Sequence, residues 1–285
     1  MDTNSLTVMP MSQEISLTPG ETYTGSITVA NPSSSAGNLP YKASISPYGV
    51  TGTKYNVDML SENSHTEMVN WLTVHSASGT LAPNDKVDIS FTIKVPSDAA
   101  PGGQYAAIKI RKEDPTTTDN GVNIGNIYEV ASIIYANVIG EVVRDGKVTN
   151  QTIPSFITTP EFTSTATIEN HGTTHEDAMV SFIITNAFNG GTIYPYDKSD
   201  TGINEVIMPD TTRELSYTFK DMPAVGPINV TQTIEYNDQT YTHTQTIFIC
   251  PIWFMIVVAV LIASLLSLII FHIKKSRRRK NKSSL

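Results

Sequence analysis

Cysteine is nearly absent from this 285-residue chain: Cys250 is the only one. Without a second thiol no intramolecular disulfide can form, so buried apolar surface must hold the fold. Charge is sparse too, at 16% Asp, Glu, Lys and Arg, and basic residues are scarce until the C-terminus. Setting aside the seven in the tail leaves twelve Lys and Arg against twenty-seven Asp and Glu, or −15 over residues 1–250. So acidic a surface repels phosphate, which sets nucleic acid aside as a partner. Catalytic signatures are missing: no G-x-S-x-G, no G-x-x-x-x-G-K-[ST] and no H-E-x-x-H occurs. The start, MDTNSLTVMPMSQ, has neither the basic n-region nor the apolar h-region of a signal peptide. The expectation is a start internal to a longer precursor, or a precursor already trimmed. A tail-anchored protein facing the cytosol is the rival, and it would have to carry seven positive charges across a membrane.

Long apolar runs are absent as well, with one exception. PIWFMIVVAVLIASLLSLIIF, residues 251–271, contains no charge. At 1.5 Å per helical residue it reaches about 30 Å, the thickness of a bilayer's hydrocarbon core. Trp253 stands at its beginning, where an indole favours the headgroup level. Lys274, Lys275, Arg277, Arg278, Arg279, Lys280 and Lys282 follow its end, and no acid follows Asp238. Basic flanks stay cytoplasmic, so the expected topology is a single-pass cell-membrane protein with residues 1–250 outside. The span is expected over 250–273 and a basic cytoplasmic tail over 274–285, attracted to anionic lipid of the inner leaflet. Cys250 reads as a boundary residue, with acylation the alternative.

The remainder reads as strands with turn punctuation. After the Pro19-Gly20 turn, ETYTGSITVAN alternates: Tyr23, Ile27 and Val29 on one side, Thr22, Thr24, Ser26 and Thr28 on the other. SENSHTEMVNWLTV, residues 61–74, has helical character, and one or two turns are expected there with Trp71 and Leu72 in the core. LAPNDKVDISFTIKVP is the clearest strand, with Val87, Ile89, Phe91, Ile93 and Val95 on one face. Asn84-Asp85 supplies the turn before it, and Pro96 ends it. IYEVASIIYANVIGEVV, residues 127–143, is apolar on both faces, as a long central strand should be, and RDGK at 144–147 marks a boundary.

The second half repeats the plan. Thr28-Val29-Ala30-Asn31 returns as Thr167-Ile168-Glu169-Asn170, in a strand with Phe162, Ala166 and Ile168 inward. Pro83-Asn84 leading to Ile89-Ser90-Phe91-Thr92-Ile93 returns, at the same spacing, as Pro209-Asp210 leading to Leu215-Ser216-Tyr217-Thr218-Phe219. Short strands with turns between them predict an all-β chain of two antiparallel sandwiches in tandem, over 1–146 and 147–249.

Candidate sites are few. Gly102-Gly103 invites a phosphate-cradle reading, but strands on both sides make it a turn. His171-Gly-Thr-Thr-His175-Glu-Asp has ligand types, yet Asn170, Gly172 and two threonines predict a solvated loop, so no metal is expected. Asp119-Asn120-Gly121 lacks the distal Glu of a calcium loop. No catalytic residue and no cofactor is expected. Recognition by loops fits better: residues 31–38 and 113–123 in the first domain, 170–177 and 189–200 in the second. Tyr194 and Tyr196 offer flat contact area, or else pack beneath their own loop. The Thr-rich stretch over 229–246 has a face suited to carbohydrate or a partner strand, with a merely solvated face as the alternative.

Several segments in order resemble the WxL-interacting cell-surface proteins of Gram-positive and reduced-genome bacteria. They are ISLTPGETYTGSITVANPS with YGVTGTKY, FTIKVPSDAAPGGQYAAIKI, IENHGTTHEDAMVSF, IMPDTTRELSYTF and ICPIWF. Together they span most of the chain. The resemblance implies an immunoglobulin-like sandwich that binds peptidoglycan, a second that binds a host or matrix partner, and one anchoring helix. The PGG-Q-Y-A-A segment departs from larger members, and no ligand residue carries over. The expected function is a membrane-anchored surface binding or adhesion protein, not an enzyme. Its partner would be cell-wall polymer, a surface protein such as a WxL-type protein, or both; the alternative is a structural stalk without a ligand.

Overall fold

Strict alternation in ETYTGSITVA and KVDISFTIK gives two strands that each hide one face, and in the structure they are hydrogen-bonded neighbours. The computed structural model describes residues 6–32, 37–113, 128–194 and 202–282, the last eight by backbone alone. In chain order the first strands are β1 (Thr7–Met9), β2 (Ser12–Leu17), β3 (Thr22–Ala30), β4 (Leu39–Pro47), β5 (Gly49–Thr51) and β6 (Asn56–Asp58). β7 (Leu72–Val74), β8 (Ser78–Leu81), β9 (Lys86–Lys94), β10 (Gly102–Lys112) and β11 (Glu129–Val138) complete the first half. The second half holds β12 (Gly146–Thr152), β13 (Phe156–Ile157), β14 (Phe162–Asn170), β15 (Glu176–Asn186) and β16 (Thr192–Tyr194). Next come β17 (Ile203–Ile207), β18 (Thr211–Phe219), β19 (Gly226–Tyr236), β20 (Gln239–Ile249) and the helix α1 (Ile252–Lys282).

Strand order makes both sets immunoglobulin-like sandwiches. The first pairs a sheet β1-β3-β9-β7 with a sheet β2-β11-β10-β4-β8. The second pairs β12-β14-β18 with β13-β20-β19-β15-β16, and β17 adds to β15. Each is the two-sheet, Greek-key order in which the first strand divides between sheets. Pro10 lies at that division in the first set: it cannot donate to a ladder, and the chain crosses from β1 to β2 there. Where the crossing strand docks, β2 on β11 and β13 on β20, the pairing is parallel.

By compactness the chain forms two units. One comprises residues 1–147 with 168–178 and 206–214; the other comprises 148–167, 179–205 and 215–285. The expected division of 1–146 from 147–249 is therefore not a single cut.

In the first unit, Ile27 faces Ile89 across β3 and β9, and Leu17, Val29, Phe91, Ile108 and Ile134 complete a core at no more than 1% exposure. Burying each such side chain is worth about 1.5–3 kcal/mol. The stretch with helical character shrinks to one 3-10 turn over Glu67–Asn70, closed by the Trp71 N–H donating to the Met68 carbonyl. That turn aims Met68 inward at 0% exposure; Leu72 is buried as expected, while Trp71 is only half-buried at the rim.

The repeated spacing has a backbone cause. Asn84 and Asp210 both adopt positive φ, +58° and +54°, which short polar side chains tolerate best. Asn31 and Asn170, the matching strand ends, are both buried and both donate their side-chain N–H groups to carbonyls. A turn that sequence reading missed joins β19 to β20: Asn237 and Asp238, at φ +50° and +57°, close a two-residue hairpin. Beyond Pro251 the apolar run is helical as expected. Ile252–Lys274 is one helix long and apolar enough to cross a membrane, with mean hydropathy 3.1.

Candidate functional site

The most elaborate group of polar and aromatic side chains lies in the first unit, on the face of β10 turned away from the sandwich core. β10 alternates Ala106, Ile108 and Ile110 into that core with Gly103, Tyr105 and Ala107 on the other face, and it buries both. Its neighbour β11 sets Tyr135 opposite Tyr105 and Ile133 opposite Ala107. Met208 and Val206 pack over this second face with Tyr48, Val50 and Tyr55. This explains why residues 127–143 read as apolar on both sides.

Rings interlock, edge to face in three pairs and tilted in the Tyr135–His175 pair. Centroid separations are 5.7 Å for Tyr48–Tyr135, 5.8 Å for Tyr105–Tyr135, 5.6 Å for Tyr105–His175 and 5.2 Å for Tyr135–His175. The Tyr105 hydroxyl accepts the His175 backbone N–H at 2.8 Å and lies 3.1 Å from His175 Nδ1. The Tyr135 hydroxyl donates to that of Tyr48 at 3.2 Å. His65 lies with Nδ1 3.1 Å from the Gly103 carbonyl oxygen and Nε2 3.2 Å from Asp210 Oδ2. The Arg213 guanidinium stands 4.0 Å above the Tyr55 ring while donating to the Val206 carbonyl at 2.6 Å.

Two glycines admit this arrangement. Gly102, at φ +129°, lies so close to the Thr173 carbonyl that a Cβ would approach it to 2.6 Å. A Cβ on Gly103 would fall 1.9 Å from the Tyr105 hydroxyl oxygen. The Gly103 N–H instead donates to the Thr173 carbonyl at 2.8 Å. The turn expected at Gly102-Gly103 is the start of β10.

Burial sets the protonation states. Desolvation raises the Tyr105, Tyr135 and Tyr55 hydroxyls well above the ordinary tyrosine range, so all three stay neutral. Desolvation lowers His175, with Glu14 and Asp177 pulling weakly the other way. The cleft beside Tyr48, Asn63, His65, Tyr105, Met208 and Thr211 has about 40 Å³ of free volume. That admits about one water, whereas ligand sites enclose roughly 300–1,000 Å³. The cluster is a lock that packs residues 168–178 and 206–214 onto β10.

The expected recognition residues fall in unlike places. His171 is exposed, its Nε2 3.2 Å from Glu169 Oε2. His175, four residues on, is half-buried among tyrosines. The loop between them is not solvated as expected. Asn170 organises it, donating to the Thr174 and Ile207 carbonyls at 2.9 Å and accepting the Gly172 N–H at 2.8 Å. Among the described residues no three metal-ligating side chains gather. Tyr194 is half-buried, its ring 5.2 Å edge-on from that of Phe219. Tyr196 lies outside the described residues, as do most of 113–123, the second half of 189–200 and the middle of 31–38. Trp253 is 57% exposed in the first turn of α1. Lys274 ends the apolar segment, and Lys275, Arg277, Arg278, Arg279 and Lys280 continue the helix, described by backbone only.

The Thr-rich stretch forms an exposed ladder in the second unit. Thr231 and Thr244 face each other across β19 and β20 with hydroxyls 3.0 Å apart, and Thr246 donates to Asn229 Oδ1 at 2.8 Å. Thr242, on the same face, also lines an open recess of about 220 Å³ with Thr149, Asn150, Gln151 and His243. Its walls are almost wholly hydrogen-bonding groups, suited to a polar, hydroxyl-rich partner.

No family model and no curated protein matches the sequence. Solved structures do. A chain of a chaperone–tip adhesin complex of CFA/I fimbriae biogenesis is 12% identical, with 85% of this chain and 98% of that one covered at a TM-score of 0.42. The YadV chaperone is 5% identical over 85% of this chain and 100% of its own, also at 0.42. The E. coli chaperone DraB is 10% identical over 84% and 98%, at 0.39. At these identities and scores the likeness carries nothing about what this chain binds.

Proposed function

We propose that this chain is a membrane-anchored cell-surface recognition protein, with its sandwiches outside and its basic tail in the cytoplasm. The observation that carries the reading is the passage from β20 to α1. The Cys250 N–H still donates to the Ile157 carbonyl at 3.0 Å, and the Pro251 carbonyl already accepts the Met255 N–H at 3.1 Å. A rigid sandwich thus runs into an apolar helix of 23 residues, none of it buried in protein. Lys274 at its end and six more basic residues beyond it favour the tail-inside orientation. The polar ladder and recess of the second unit are the contact surface we assign to cell-wall polymer or to a surface protein of the WxL type.

Two measurements test this. Protease added to intact, wall-stripped cells removes residues 1–250 and spares a tag at the C-terminus; loss of the tag with the rest protected reverses the topology. Purified peptidoglycan retains the full chain in detergent, and Thr244→Arg with Thr231→Arg reduces retention. Failure to bind wall polymer or a neighbouring secreted protein leaves the structural stalk as the function.

A further inference from the structure

The second unit carries three phenylalanines that its sandwich does not bury: Phe156, Phe188 and Phe248 are 51%, 82% and 57% exposed. They are far apart in sequence but share one end of one sheet. Phe156 pairs with Phe248 in the parallel register of β13 and β20. Pro227 faces Phe248 from the other side, on β19. The Ala187 N–H donates to the Pro227 carbonyl at 3.2 Å, and the Phe188 ring passes 3.8 Å from where a Cβ on Gly226 would lie. This is the end from which the chain leaves for α1. Only Ile249, Cys250 and Pro251 separate Phe248 from Ile252, so it lies within about 14 Å of the helix's first residue. Because Cys250 is still held by β13 and Pro251 already belongs to the helical hydrogen bonding, no slack separates sheet from helix.

We infer that Phe156, Phe188 and Phe248 form an aromatic collar that sits in the headgroup layer of the same bilayer that α1 crosses. The inference rests on α1 being a membrane span and goes beyond it. The occupant is lipid because the chain's own geometry brings these rings to the membrane surface. The ring-bearing end is also short of charge: Ser155, Pro227, Ile249, Cys250 and Pro251 surround the three side chains in sequence and register. Elsewhere on the same face the outward residues of β20 are Thr240, Thr242, Thr244 and Thr246, so aromatic exposure changes to polar exposure along a single strand. Phe side chains held against a bilayer surface bury their rings at the boundary between headgroups and acyl chains. With the collar seated, the sandwich stands at a fixed tilt.

The test uses the full chain in lipid nanodiscs, with Trp71→Phe and Trp253→Phe to remove the native indoles and one tryptophan introduced at a time. Phe156→Trp, Phe188→Trp and Phe248→Trp are expected to lose most of their fluorescence to lipids brominated just below the headgroup. Thr240→Trp, on the same strand and face but about 27 Å from Phe248, keeps its fluorescence. The wild-type Trp253, read with Trp71→Phe alone, reports whether the helix is inserted. If Trp253 is quenched and the three new positions are not, the collar is wrong while the span stands. If Trp253 escapes quenching too, both readings fall.

Discussion

β10–β11 and β19–β20 occupy the same place in the two sandwiches, yet they treat their outer faces in opposite ways. In the first pair the outward residues are Tyr105, Ala107, Ile133 and Tyr135, and other segments of the same unit cover them. In the second they are Asn229, Thr231, Thr233, Thr242, Thr244 and Thr246, which face water or a partner. The fold asks only that one face be apolar, and the second face is free to be chosen. In the first unit that choice went to internal adhesion, and in the second to hydrogen bonding.

The comparison breaks most visibly at its aromatic centre. Tyr105→Ala should destabilise the first unit by about 3–5 kcal/mol, since it empties a fully buried ring site. Thr231→Ala, at the corresponding outward face of the second pair, should stay within about 0.5 kcal/mol. Urea denaturation of the full chain in detergent, followed by hydrogen exchange on peptides from each unit, reads both. Equal effects would mean that the two faces are not different in kind.

The strand-end asparagines sharpen it next. Asn170 uses both donors and its acceptor, whereas Asn31 donates to the Gly37 and Ala82 carbonyls at 3.3 and 3.2 Å and its Oδ1 is buried with no partner. Asn170→Ala should therefore cost about 2–3 kcal/mol and Asn31→Ala about half of that. Asn170→Ala should also speed exchange of the Gly172 amide, whose acceptor it removes.

A smaller effect separates the faces by pH. Burial holds His175 below its ordinary value of 6.5, so the folded chain keeps it neutral while the unfolded chain takes up a proton. Its contribution to stability is complete above that value and is lost as pH falls through it. The urea midpoint should decline between about pH 7 and 5, and His175→Phe should flatten that decline. A slope unchanged by the substitution would place the titrating group elsewhere. The mildest change at the aromatic centre, Tyr105→Phe, removes only the hydroxyl that accepts the His175 N–H and should cost about 1 kcal/mol.

Alternation exposed most of the fold in the sequence. β3, β9 and β14 follow from side chains two apart, and Asn84 and Asp210 betrayed the repeat because few residues accept a left-handed turn. The apolar run fixed α1 by length alone. The tyrosine lock was not legible, since its members are scattered over more than a hundred residues of chain and nothing local marks Tyr105 as the partner of His175, 70 positions on. Ala106-Ala107 between apolar residues was the available signal: a strand small and uncharged on both faces is one that something covers. The collar was equally hidden, because Phe156 and Phe248 meet only through strand pairing.

The unbroken passage from β20 into α1 also determines how the protein carries load. A pull on α1 enters the sheet at the end of β20, and eleven paired residues tie that strand along its whole length to β19. Tension drawn along the strand meets those rungs together, in shear, where peeling from a free edge would open them one by one. β13 adds a second grip on the other flank, at the last rungs before the helix. The strand that leads into α1 is thus an interior strand of its sheet, and tension on the helix loads the sandwich where it is best braced.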